Sequence, residues 1–361
     1  MSVEFVGMIG TRDVSETRAP AGPVIDPEYT RRFARAHEDA GFDRILVAYG
    51  SASPDAIQVA TYAAAHTDHL GLLIAHRPGF VAPTNAARTF ATLDQFTGGR
   101  VAVHTITGGS DTEQRRDGDY LTKDDRYART EEYLRILRRA WESPEPFSHE
   151  GRFYRFEDFA LVAQPAHRIP LYFGGSSAAA YRVGGAVADT YALWGEPLKE
   201  TAEQIASVQA SAAAAGRDPL GISVSFRPIL GATDELAWER AERILAAIGT
   251  GGRTPDHGVT GGRHPENVGS QRLLAAAAKG DRHDRALWTA TAKASGAQGN
   301  STALVGSPET VARALLDYVD LGVTTILIRG YDPVDDAVDY GRHLIPLVRQ
   351  ELAHRQLASA R

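Results

Sequence analysis

Eight short apolar runs, each followed by a helix-length amphipathic stretch, most restrict how these 361 residues can fold. The runs are Glu4–Ile9, Arg44–Ala48, Leu70–Ala75, Val101–Ile106, Ile169–Phe173, Asp189–Leu193, Ile222–Phe226 and Val323–Ile328. Between them the pattern changes from strand to helix. Asp26-Pro27 reads as an N-cap followed by Pro at the first helical position, and Tyr29, Phe33, Ala36 and Ala40 then share one face until Gly41. Asp55–Ala65, Thr84–Gln95, Tyr127–Trp141 and Val334–Gln350 read as further helices. Eight strand–helix units in one chain of this size favour an α/β fold closed into a (β/α)8 TIM barrel over a doubly wound sheet.

No linker or shift of composition divides the chain, so one domain over 1–361 is expected. Two stretches stand outside the alternation. Pro144–Val162 reads as a hairpin insertion, and Gly249–Asp284 opens with "GTGGRTPDHGVTGGRHPENVG", read as a long mobile lid. The balance of 39 basic and 45 acidic residues, interspersed, leaves no basic tract for a nucleic-acid backbone. Apolar runs stay too short to span a membrane, and no basic-then-apolar leader opens the chain; a cytoplasmic protein is expected. With no Cys, disulfides, thiolate metal sites and a Cys nucleophile are excluded. Twelve His offer no His-x-x-x-His with supporting ligands, and His257 and His264 fall in the Gly-rich stretch, so no metal site is expected.

In a barrel of this kind the chemistry gathers at the carboxyl ends of the strands. That rule nominates Arg12, Ser53, His76-Arg77, His104 to Thr107, Gly174 to Ser177, Trp194, Arg227 and Tyr331. The junction "YFGGSSAAA" places unencumbered backbone N–H groups and two hydroxyls at a helix start, an arrangement suited to a phosphate. The same residues equally suit a plain N-cap by Ser176 or Ser177. Trp194 either fills the rim or walls a pocket for a flat ligand. Arg227 either pairs with a barrel carboxylate or awaits an anionic substrate. Tyr331 sits in "RGYDP", where a loop aromatic beside a turn is the simpler alternative. There is no nucleophile elbow, P-loop or dinucleotide fingerprint.

The stretches "HRPGFVAPTNAARTFATLDQFTGGR", "ITGGSD", "DGDYLTKDDRYARTEEY", "PLYFGGSSAAA", "ALWGEP", "NVGSQR", "STALVGSPETVA" and "IRGYDP" run from end to end of the chain. Together they resemble the bacterial-luciferase-like flavin monooxygenases, most closely the alkanesulfonate monooxygenases. The resemblance implies reduced FMN as co-substrate, delivered by a separate NAD(P)H-dependent flavin reductase, and oxygen-dependent cleavage of an organosulfonate to an aldehyde and sulfite. It implies a homodimer or homotetramer. It also implies cofactor contacts from His76, His104, Thr107, Lys123, Tyr127, Gly174, Gly175, Ser176 and Ser177, and catalytic or substrate contacts from Arg12, Ser53, His104, Trp194, Arg227 and Tyr331. Against the alkanesulfonate pattern, Ser53 stands for a Cys, His104 for an Asn, Lys123 for a His and Arg12 for a His. The strand-seven Arg-x-His is replaced by Ser225-Phe226-Arg227. A sulfone or a polar sugar sulfonate is equally consistent with these changes, and a deazaflavin-dependent dehydrogenase of the same barrel family is the enzyme alternative. A flavin-binding protein without turnover is the non-enzymatic one.

Overall fold

The computed structural model describes residues 2–250, 265–297, 299 and 301–359. Eight parallel strands close on themselves: β1 Glu4–Ile9, β2 Arg44–Val47, β3 Gly71–His76, β4 Val101–Thr105, β5 Leu171–Gly174, β6 Thr190–Trp194, β7 Gly221–Leu230 and β8 Thr325–Ile328. Each pairs with its successor, and β8 returns to β1 through the register Phe5 with Ile326. This is the (β/α)8 barrel that the alternation predicts, with all eight strands where the apolar runs lie. An antiparallel hairpin, Phe147–Glu150 with Arg155–Phe159, stands outside it.

Closure divides every strand by its period of two. One set of side chains, including Phe5, Ile45, Leu72, Val103, Phe173 and Phe226, joins the main core between strands and helices. The alternate set, Val6, Leu46, Leu73, Ala102, Tyr172 and Leu327, fills the barrel interior. Below that layer the interior turns polar: Glu4 accepts from Arg44 Nε at 2.6 Å and from the Tyr172 hydroxyl at 2.8 Å.

The helix signals act as the sequence predicts. Asp26 caps Pro27–Asp39 by accepting from the Tyr29 N–H, and Asp55 caps Ala56–Ala64 through the Gln58 N–H. The last helix departs from a single span. Pro333–Asp339 passes through a π-helical turn, Tyr340–Leu344, before Ile345–Ser359. Gly341 there lies so close to the Ala40 backbone that a Cβ would come within 2.5 Å, and the Tyr340 hydroxyl donates to the Pro228 carbonyl at 2.6 Å. The extra residue in the turn serves that close contact rather than helix periodicity.

Two further departures matter for the site. β7 continues through Arg227 and Pro228 to Leu230 because its second half pairs with an additional parallel strand, Ala303–Gly306. The stretch read as one long lid contains the helix Val268–Lys279 and the short strand Arg282–His283; its Gly-rich part, 251–264, lies outside the described residues.

Glu38 fixes the entry to β3. Its carboxylate, 3% exposed, accepts from the backbone N–H groups of Asp68, His69 and Leu70 at 2.8–3.2 Å. Burial opposes its charge, but those N–H groups outweigh burial and hold the carboxyl below its ordinary value. Replacing Glu38 by Ala strands the buried Leu70 N–H and frees two part-buried ones, and is expected to cost about 1–3 kcal/mol. The carboxylate's contribution is present above the ordinary carboxyl pKa and is lost as pH falls through the lower folded value. The acid limb of Tm against pH should therefore flatten in Glu38→Ala; an unchanged limb would assign acid lability to other carboxylates.

Candidate functional site

At the carboxyl end of β5 the chain turns through Gly174–Ser177 into the helix Ala178–Val187. Ser177 is that helix's N-cap, its Oγ accepting from the Ala180 N–H at 3.2 Å. The same Oγ lies 3.5 Å from the hydroxyl of Tyr127, on the helix Lys123–Glu142. Gly175 has φ +141°, and a Cβ on it would sit 2.7 Å from the Ala180 Cβ and 3.3 Å from the Tyr127 hydroxyl. Only Gly leaves this hollow open. Its carbonyl is held by the Tyr191 hydroxyl at 2.8 Å. Burial raises the pKa of Tyr127, so it stays a neutral donor. Ser176 and Lys123 are half-buried beside it, Lys123 one turn before Tyr127 on the same helix face. Thr107, buried, donates to Thr130 Oγ1 at 3.4 Å and so ties the loop after β4 to that helix. Capping and anion binding are thus compatible here: one side-chain lone pair serves the cap, and the cluster of hydroxyls and first-turn N–H groups remains.

His104 and His76 take opposite sides of the barrel wall. His104 is in phase with Ala102 and points inward at the mouth, beside Gly174, where an added Cβ would lie 3.6 Å from its Cε1. Its Nδ1 is buried with no partner among the described residues, and burial pulls its pKa down to about 4, so the ring is neutral at pH 7. His76, read as a cofactor contact, is in phase with Leu72 and Ile74 and faces the helices instead. Its Nε2 meets the Tyr133 hydroxyl at 2.7 Å and its ring packs edge-on against Phe90. The period of two places it in the outer core, away from the mouth.

Trp194 ends β6 on the inward phase and packs against Leu273, Ala292 and Ala297. Gly269 makes room for it: a Cβ there would lie 2.8 Å from the indole. The helix carrying Gly269 is fastened by Arg272, whose guanidinium donates to the buried Glu196 carboxylate at 2.6–3.1 Å. Glu196 was not among the residues nominated from sequence, although it follows Trp194 by two positions.

Arg227 points inward from β7. Its guanidinium donates to both oxygens of Glu16 at 2.8 and 2.9 Å and to the Gly330 carbonyl at 2.8 Å, and it lies 3.7 Å from the centre of the Tyr331 ring. Of the two readings open for Arg227, pairing with a carboxylate is the arrangement found. Arg329, two residues before Tyr331 and just beyond β8, also donates to Glu16, at 2.8 Å. Burial opposes the Glu16 charge, yet the two guanidiniums outweigh it and hold the carboxyl far below its ordinary value. Arg12 and Ser53 join Glu16, Arg329 and Gly10 in lining a cavity of about 130 Å³. Neither Glu16 nor Arg329 was singled out from sequence. The alternation does extend Leu327 to Arg329 as the next inward position, but nothing local marks Glu16, whose partners lie more than two hundred residues away.

A family model described as luciferase-like monooxygenase matches residues 3–325. The chain belongs to that family. Among solved structures, a riboflavin lyase with modified FMN and riboflavin shares 21% identity and a TM-score of 0.79, over 97% of this chain and 92% of that one. EDTA monooxygenase from Chelativorans sp. BNC1 shares 17% identity and a TM-score of 0.75, over 97% and 94%. A coenzyme F420-dependent tetrahydromethanopterin reductase from Methanopyrus kandleri shares 18% identity and a TM-score of 0.68, over 96% and 99%. These likenesses establish the fold of the luciferase-like barrel. No helix among the described residues is long and apolar enough to cross a membrane.

In this luciferase-like barrel Arg227 is a paired cation, held on Glu16 and the Gly330 carbonyl. Arg227→Ala removes two of the three guanidinium hydrogen bonds to Glu16, which is 25% exposed and keeps Arg329, and should cost about 1.5–3 kcal/mol. Urea unfolding measures it; an unshifted midpoint would show that the pair contributes nothing to stability.

Proposed function

We propose that this chain is a two-component monooxygenase that uses reduced FMN from a separate flavin reductase and oxygenates a small organosulfur anion. The favoured reaction is cleavage of a sulfonate C–S bond to an aldehyde and sulfite. One observation carries the reading. The mouth holds a Gly-lined hydroxyl cradle after β5 and, from within β7, the residue after β8 and the loop after β1, a separate cluster of two guanidiniums and one carboxylate. In the cyclic strand order β7 and β8, which carry the two cations, stand two and three places from β5, and β1, whose loop delivers Glu16, stands four. A ligand phosphate at one side and an anionic substrate at the other suit that spacing of charge.

The cradle fits a flavin phosphate, because the hollow exists only without a Cβ at Gly175. Gly175, Ser176, Ser177 and Tyr127 would hold it, with Lys123 adding charge at the helix start. When bound, reduced FMN supplies the electrons for oxygen chemistry. The protein's own share is binding, orientation and proton placement. Trp194 would wall the mouth, and Tyr331, buried with its ring against Arg227, would set the position of that cation. Arg329, aided by Arg12, would hold the oxyanion and stabilise charge on departing sulfite. His104, neutral and with Nδ1 unpaired among the described residues, can hold or accept one proton there.

Two measurements test this. With a flavin reductase, NADH, FMN and oxygen, sulfite should form from one or more members of a panel of alkanesulfonates and polar sulfonates. Reduction of coenzyme F420 by an alcohol, without oxygen uptake, would replace the reading by the dehydrogenase one. Ser177→Asp keeps a good N-cap while placing a negative charge beside the phosphate. It should weaken reduced-FMN binding about tenfold or more, with Ser177→Asn close to wild type. Equal affinities would leave Ser177 a cap alone.

A further inference from the structure

Among the described residues Glu16 is the single carboxylate that accepts from the two inward cations. Its Oε1 accepts from both Arg227 and Arg329, at 2.8 Å each, and its Oε2 from Arg227 alone, at 2.9 Å. The neighbouring carboxylates are occupied elsewhere: Asp336 by Arg240, and Asp332 by Arg240 and Arg18. One positive charge of the cluster therefore remains uncompensated by these groups. Arg227 Nε and Arg329 Nε are also buried without an acceptor among the described residues. Buried donors lacking acceptors mark a place where an ion or water is missing from the count. The adjoining cavity of about 130 Å³ has room for roughly four waters, at about 30 Å³ each, or for one small oxyanion.

The three charged groups are not held alike. Arg227 lies within β7, and Arg329 directly follows β8. Glu16 comes on the loop between β1 and the first helix, whose Ser15–Arg18 bridge is supported by ion pairs from Arg18 to Asp13 and Asp332 with a side chain 40% exposed. Exposed pairs of that kind contribute little, so the carboxylate is the partner most readily moved.

We propose that Glu16 is a resident counter-ion that the anionic group of the substrate displaces from Arg329, while Arg227 keeps its two-point hold. This rests on the reading of the cluster as the substrate-anion site. Binding is then an exchange of one oxyanion for another at Arg329. A neutral substrate gains nothing from the exchange, so Glu16 sets selectivity for anions and keeps the two cations soluble in the protein interior until one arrives.

The test needs no flavin. Methanesulfonate is titrated into wild type, Glu16→Gln and Arg329→Gln by calorimetry at low ionic strength, with matched chloride as the control. Glu16→Gln should bind methanesulfonate about tenfold or more tightly than wild type, since the probe no longer competes with a carboxylate. Its melting temperature, lowered by loss of the counter-ion, should rise with methanesulfonate by more than that of wild type. Arg329→Gln, which leaves the Arg227–Glu16 pair intact, should show no saturable binding. If Glu16→Gln binds no more tightly, or Arg329→Gln binds as wild type does, the proposal is overturned. Should Glu16→Gln fail to fold, Arg329→Gln decides alone. Because neither readout uses reduced FMN or oxygen, failure to form sulfite in the reductase-coupled assay would count against the proposed reaction and leave this result standing.

Discussion

Hydrogen bonding from β8 back to β1 is the contact on which the remaining architecture depends. Without it the sheet would keep two edges, and its two faces would be equivalent layers. With it, one face becomes the inside of a barrel and the other a surface for helices. Every later assignment follows from that division. Val6, Leu73, Ala102 and Leu327 plug the interior, the Glu4–Arg44–Tyr172 group closes its lower end, and the inward positions beyond the plug become the mouth. His104, Gly174, Trp194, Arg227 and Arg329 are neighbours only because eight distant segments share one ring.

Polar groups brought together in this way must be satisfied in a confined place. Arg227 is 1% exposed and would be costly there alone; Glu16, Gly330 and the face of Tyr331 together make it tolerable. The same logic operates at Glu196, 2% exposed, whose lone carboxylate is matched by Arg272. That pair also brings Gly269 against Trp194, so one wall of the mouth depends on an ion pair outside it. Such pairs stabilise less than their Coulomb attraction suggests, but removing one member is expensive, and they fix where the neighbouring helix sits.

The cradle after β5 shows local and distant requirements met by one set of residues. A helix start needs a cap, and Ser177 provides it. A phosphate needs open N–H groups and hydroxyls, and the missing Cβ of Gly175 with the incoming Tyr127 hydroxyl provides those. Tyr127 stands fifty residues earlier, on a helix whose packing between neighbours sets its height above the loop.

The sequence by itself determined the strands, their order, the barrel and the main helix caps, because each is written in short-range periodicity: two for strands, 3.6 for helices, with Asp-Pro and Gly at the ends. It also marked the Gly-Gly-Ser-Ser junction, whose chemistry is local. Several decisions were left to tertiary structure. Whether His76 or His104 faces the mouth depends on which phase of the strand closure turns inward. Whether Arg227 is free or paired depends on Glu16, 211 residues away, and the second cation, Arg329, is recognisable only once that carboxylate is in place. The helix within the expected lid owes its position to Glu196, some seventy residues earlier. Charges pair through space at a cost fixed by burial, and no spacing along the chain encodes which loop will deliver the partner.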